Sequence, residues 1–432
     1  MIFFHISAFT QTVFYNNGTP VIVDNNATLF IDGDYQNEFN ASSSTSGLID
    51  LDGRMVVNYN WINNALNTVF INVEPIPDGI VDLSGSAATQ LIQGFPTHFE
   101  NLRINNITDK RLEVSDCEVN GILTVDAVLD LNTNKIIIDN PNPNAITYVS
   151  KYILSETVPA LGYGEVQWNI QDATDTYEVP FGSGTSLNND LNLTLITKSQ
   201  GQPNSGNITF ATYPTDIYNS PLPTGASPLT NPIEKVVDRF WIIDANYLTL
   251  KPTVDIIFKY TDMDIDPTFN FYINPTKLQA IRNNTNIGVW DDWGPKGLSN
   301  EFYNTVAVEG DNITTFFGVA PEDFFENWTL VSPEVPIADI LIPNAFTPDG
   351  DGINDTYIPK IHPDFIVETY EFYIFNRWGE VVFKTNDINQ GWNGRVKNDD
   401  KIAQMGVYNW IINIKGVNTI LKKYKGHVVL VL

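Results

Sequence analysis

From Ala27 to about Val149 the chain runs in short β-branched segments, each closed by Asn, Asp or Gly. ATLFIDGDY, GLIDLDGRMVV and GIVDLSGSA align on Gly33, Gly53 and Gly85, and NLRINNI, RLEVSDCEVNGILTV and VLDLNTNKIIIDN continue the series. Such polar and glycine residues turn a chain at a strand end, and helical periodicity is absent. Strands recurring at roughly 20 residues with polar corners predict a parallel β-solenoid, each coil burying its apolar face on the next and Asn stacking at the corners. The intervals between the aligned glycines are unequal, so a plain multistranded sandwich is the alternative.

The pattern breaks at Pro159 and Gly162, which marks the junction to a second unit. VQWNI, TYEVPFG, LNLTLITK, NITFATY, VVDRFWII, TVDIIFKY and the segments that follow are short strands about 8–15 residues apart, the rhythm of an antiparallel sandwich. The stretch from Tyr213 to Pro232, rich in Pro, Ser, Thr and Asn, reads as a long surface loop of the kind that often carries binding. Two prolines within Val331–Ile337 make a short semi-rigid linker. The expected organisation is a signal remnant over 1–10, a solenoid over 11–157, a sandwich over 158–330, the linker over 331–337 and a last domain over 338–432. The whole is all-β.

The last ninety residues read IPNAFTPDGDGIND, YEFYIFNRWGEVVF, GWNG, MGVYNWIINIKG and KGHVVLVL. Phe372 and Ile374, then Val381 and Phe383, alternate around a turn at Asn376–Gly379, which predicts a hairpin with one apolar face. Tyr408, Trp410, Ile412 and Ile414 share the parity of a third inward face. Trp378 and Trp392 each adjoin a glycine, Gly379 and Gly391, where a flat ring can lie over backbone that has no Cβ. A small Ig-like sandwich with an aromatic core is expected.

This ordered set of motifs resembles the gliding-motility-associated C-terminal domain, the type B sorting domain of the type IX secretion system of Bacteroidetes. The resemblance covers roughly the last fifth of the chain. It implies that the domain is read by the outer-membrane translocon and that its passenger reaches the cell surface or the medium after periplasmic transit. Carried over from the family motif are Asn376, Arg377, Trp378 and Gly379, with Lys425 and Gly426 in the final strand.

Charge separates the two parts. The chain holds 24 Lys and Arg against 51 Asp and Glu, a net charge of −27. From Ala338 onward there are 10 basic and 11 acidic residues, so nearly all the acidity belongs to the passenger. Such a surface repels phosphate backbones and argues against nucleic acid. Divalent cations suit it better. Cys117 stands alone, which rules out an intrachain disulfide and a cysteine metal cluster and leaves it as a small buried hydrophobe. The apolar opening MIFFHISAF, followed by a small-x-small pattern with Gln11 as the new N-terminus, reads as a signal peptide. No later run reaches about 18 consecutive apolar residues, so no transmembrane helix is expected.

Candidate chemistry is sparse. His98 is the one histidine outside the opening segment and the last domain, and no nucleophile-elbow, zincin or phosphate-loop motif occurs. Asp291 and Asp292 are adjacent, so on a strand they point to opposite faces and cannot flank one glycosidic bond. Their neighbours Trp290 and Trp293 are either core rings or a platform for glycan stacking. Asp349, Asp351, Asn354 and Asp355 place oxygen donors within one tight turn, as calcium requires, although the spacing is not that of an EF-hand. Asp262, Asp264 and Asp266 alternate along TDMDID and share one face if the segment is extended, a second candidate calcium site. Together these features point to a non-catalytic exported surface protein, an adhesin or matrix component. A secreted carbohydrate-binding or carbohydrate-active protein that meets surface polysaccharide and a fibre subunit that self-associates through its solenoid ends are the alternatives.

Overall fold

The computed structural model describes residues 12–431 apart from 43, 66–68, 72–77, 87, 158–161, 185–189, 232, 266–272, 274, 276–277, 293–304, 309–312, 333–339, 362–366, 397–401 and 417–420; for 291–292, 305–308, 316–317 and 323 it describes the backbone alone. The signal expected over 1–10 and most of the linker therefore lie outside the described residues. The chain divides into two compact units, residues 1–332 and 333–432.

The first unit opens as a β-solenoid of about six turns. One face is built of parallel strands stacked in the order Val13–Asn17, Asp34–Asn40, Trp61–Asn63, Gln90–Gly94, Lys110–Leu112, Leu129–Asp130 and Ile153–Leu154. A second face stacks Thr97–Phe99, Cys117–Val119, Lys135–Ile138 and Glu165–Trp168, and a third runs from Thr28–Ile31 to Ile146–Tyr148. In-register stacking puts like on like: Leu102 lies between Val81 and Leu123, and Cys117 between Thr97 and Ile136. The aligned glycines sit where successive coils nearly touch, because a Cβ on Gly53 would meet the carbonyls of Asp24 and Ala27.

Inside the early coils the rings of Phe14, Tyr35 and Trp61 form a row, with centroids 6.1 and 4.5 Å apart, and Phe99 closes it 5.1 Å beyond Trp61. Beside the rings runs an asparagine stack carried by the strands themselves, whereas the sequence predicts one at the corners. Asn16 faces Asn37, which faces Asn63; Asn37 Nδ2 donates to Asn63 Oδ1 at 3.5 Å, and Asn63 Nδ2 donates to the carbonyls of Phe95 and Pro96. The bonds of Asn37 and Asn63 satisfy buried amide groups that are costly to leave unpaired.

The expected division near residue 158 is crossed by a continuous sheet. Glu165–Trp168, the last parallel strand of the second face, pairs antiparallel with Asn207–Pro214, and the ladder continues through Arg239–Asn246, Asn327–Val331, Gln279–Asn284 and Val289–Asp292. A second antiparallel sheet, Thr176–Val179, Leu193–Thr197, Val254–Lys259, Ile313–Val319 and Thr305–Val308, belongs to the same sandwich. Trp241 meets Phe258 edge-on at 5.3 Å and Trp168 meets Tyr177 at 5.1 Å, joining the two layers. Fully burying one such large side chain contributes roughly 1.5–3 kcal/mol, so one core serves coils and sandwich alike.

The outer face of the long sheet is covered by the segment expected to be a free surface loop. Leu222, Ala226 and Leu229 pack on a cluster of Tyr213, Phe240, Ile242 and Trp290. Apolar residues spaced through a Pro-rich stretch give it a face to bury, which composition alone does not reveal.

The second unit is a five-stranded sheet in the order Ala345–Phe346, Lys422–Leu430, Gly406–Gly416, Val367–Phe375 and Val381–Thr385, with a two-stranded sheet of Ile340–Leu341 and Lys360–Ile361. Only Ala345–Phe346 joins the large sheet in parallel. Tyr408, Trp410, Ile412 and Ile414 are buried as their alternation predicts, against Phe346, Tyr357 and Trp392. The register slips between Ile374 and Phe375, and Val382 in place of Val381 turns fully inward.

Candidate functional site

Asn376 builds the hairpin tip of the second unit. Its Oδ1 accepts the N–H groups of Trp378 at 2.9 Å and Glu380 at 3.0 Å, while its own N–H donates to the Glu380 carbonyl and its carbonyl accepts from Gly379. Gly379 has φ +81°, a conformation that favours glycine. The turn thrusts Trp378 into solvent: it is 80% exposed. A tryptophan exposed on a hydrogen-bonded turn is the type of side chain that anchors an interface. Arg377 is braced by a 3.0 Å bond from Nη2 to Gln404 Oε1. In the final strand Lys425 is exposed opposite Ile411, and Gly426 lies opposite Trp410.

In the loop that opens the same unit, Asp349, Asp351 and Asp355 can bring one carboxylate oxygen each within 4.8 Å of the others. Asp355 accepts the N–H groups of Gly350 at 2.6 Å and Gly352 at 2.8 Å, and Asp351 accepts that of Ile353. Asn354 takes φ 55° and its carbonyl receives the Thr347 N–H. Three carboxylates form a set of hard oxygen donors of the kind calcium takes.

The second acidic set is arranged differently from the expectation. Asp262–Ile265 is a 3-10 turn, not an extended segment. Asp264 points inward, 3% exposed, while Asp262 stays at the surface; Asp266 lies outside the described residues. The inward turn has a cause far along the chain. Arg239, 1% exposed, donates from Nε to Asp264 Oδ2 at 3.0 Å and from Nη2 to Glu156 Oε2 at 3.2 Å. Thr261 donates to Asp264 from N and Oγ1, and Ser183 Oγ donates to Glu156. Desolvation works against the charge on Arg239, but Asp264 and Glu156 outweigh it and hold its pKa above the ordinary value.

This clamp joins the end of the solenoid, at Glu156, to the sandwich, at Arg239. Arg239 and Asp264 line a cavity of about 320 Å³ together with Thr215, Asp216, Asp238 and Met263. Nothing in the pattern around Glu156 or Arg239 signals the pairing; only a lone arginine within an apolar strand hints that it has a buried partner.

Trp290 is a core ring. It is 7% exposed, its Nε1 donates to the Ser227 carbonyl at 2.6 Å, and it packs 5.6 Å from Phe240. As a glycan platform it is covered, and Trp293 lies outside the described residues. His98 stands half-exposed with Nδ1 3.9 Å from Glu118 Oε1. Among the described residues, no helix is long and apolar enough to cross a membrane.

Residues 340–430 match the family CHU_C, described as the Type IX secretion signal domain. The match coincides with the second unit, its hairpin tip and its acidic loop. The chain thus carries a signal for export out of the cell by type IX secretion. No curated protein matches the chain.

Proposed function

We propose that this chain is a non-catalytic structural or adhesive protein of the cell surface or medium, delivered by its C-terminal unit. The observation that carries the reading is the continuous sheet between solenoid and sandwich, which makes the passenger one body with a shared core. Its described tryptophans support the same view: Trp61, Trp168, Trp241, Trp290 and Trp328 all point into cores, so none of these indoles offers a face for glycan stacking. In this reading Trp378 and its turn meet the translocon, and the Asp349–Asp355 loop takes calcium.

Two measurements test the reading. A chain ending before residue 340 should remain in the periplasm while the full chain reaches the outside. The purified full chain should give neither saturable binding on a glycan array nor release of reducing sugar; either result would establish the carbohydrate-directed alternative.

One observation favours self-association as a second reading. The strands of the first coil, VFYNN, VIV and TLFI, carry no charge, each ends its sheet among the described residues, and Tyr15, Ile22 and Phe30 are more than half exposed. Uncharged edges invite strand addition. Light scattering at rising concentration should then show growing assemblies that Ile22→Lys abolishes.

A further inference from the structure

The five-stranded sheet of the second unit buries one face; the other carries a pattern of its own. Strand register places Lys384, Tyr373, Ile411 and Lys425 in a single row across four strands. The next row on one side sets Phe375 beside Asn409 and His427, and on the other Glu371 beside Asn413 and Lys423. Tyr373 and Phe375 stack with centroids 6.3 Å apart, and Lys384 Nζ sits 5.0 Å from the Tyr373 ring centre. Lys384, Lys423 and Lys425 are exposed and form no ion pair among the described residues, whereas Lys415 at the far end is bound to Glu368. Glu371 is engaged by Asn413 Nδ2 at 3.0 Å.

Three unpaired lysines around an aromatic centre are conspicuous in a chain of net charge −27. We propose that this face is the docking surface for an acidic protein surface of the export machinery, with the lysines steering and Tyr373 and Ile411 forming the dry centre. The proposal rests on the reading of this unit as the export signal. Charge supplies the argument for the occupant: an acidic partner attracts this face and repels the passenger, so the chain presents its C-terminal unit first. Interfaces of this type place apolar and aromatic residues centrally and charges at the rim.

The test uses the full chain in a cell that has type IX machinery, scored by the fraction reaching the medium. The variants are Lys384→Glu with Lys423→Glu and Lys425→Glu, the same three positions changed to Gln, the same three changed to Arg, and a chain ending before residue 340. Export should fall about tenfold or more for the Glu set, fall less for Gln and stay at the parental level for Arg. Melting curves of the purified variants check folding; if the Glu set does not fold, the Gln set decides. Parental export of the folded Glu or Gln set, with the truncated chain retained, overturns the docking face and leaves the export signal standing. Export of the truncated chain overturns both.

Discussion

The indole of Trp410 lies across the backbone of Gly426 on the neighbouring strand. A Cβ built on Gly426 would collide with its Cζ2 and come within 2.8 Å of its Cε2, and the two residues are direct partners in the ladder. The glycine of the lysine-glycine pair is therefore a seat for a ring. Gly426→Ala forces the indole aside and is expected to cost about 1–3 kcal/mol, the range for overpacking a filled core. Denaturant melts of the full chain measure it, and an unchanged midpoint would refute the seat.

The Arg239 clamp makes a different prediction. Arg239→Ala strands the buried carboxylates of Glu156 and Asp264, and removal of one side of a buried ion pair costs about 3–5 kcal/mol. Adding Glu156→Gln and Asp264→Asn to an Arg239→Met chain should recover most of the loss. A double-mutant cycle on urea midpoints separates this from simple loss of packing.

Glu100 gives the solenoid a pH dependence. It is 4% exposed, and burial, aided by Asp78, Asp52 and Asp50 and opposed by the Gly79 hydrogen bond, pushes its carboxyl up to about 7 from 4.5. Between these values the folded chain keeps a proton that the unfolded chain has released, so stability falls as pH rises through that window. Glu100→Gln should flatten this slope and raise the melting temperature above pH 7. Equal slopes in parent and variant would remove Glu100 as the cause.

Calcium provides a fourth test. If Asp349, Asp351 and Asp355 hold the ion, a hundredfold excess over Kd stabilises the folded state by about 2.7 kcal/mol. The melting curve should shift upward in calcium relative to chelator, and Asp351→Asn should abolish the shift. Identical curves in calcium and chelator would dismiss the site.

Much of the architecture is legible from periodicity. Tyr408 to Ile414 alternate because a pleated strand presents every second residue to one side, and Gly33, Gly53 and Gly85 mark points where coils approach too closely for a Cβ. Unequal glycine intervals do not disturb the stack, since Trp61 still registers with Ile92. What is not legible depends on partners distant in sequence. Asp264 reads as one of three acids on a shared face until Arg239 is found to bind it inside. Trp290 reads as core ring or as platform until the Ser227 carbonyl is found to accept its indole N–H. The hairpin's inward residue shifts from Val381 to Val382 because a bulge inserts one residue, and local alternation carries no trace of that slip.

The passage from parallel coils to an antiparallel ladder at Glu165–Trp168 also constrains how such a chain can change length. The sandwich acts as a fixed stopper on one end of a stack whose rungs are interchangeable, so a duplicated coil inserted between Lys110 and Leu129 would lengthen the column by about 4.8 Å without touching the stopper. Reach thus becomes a quantity that gene duplication can adjust in steps, independently of the export signal that follows.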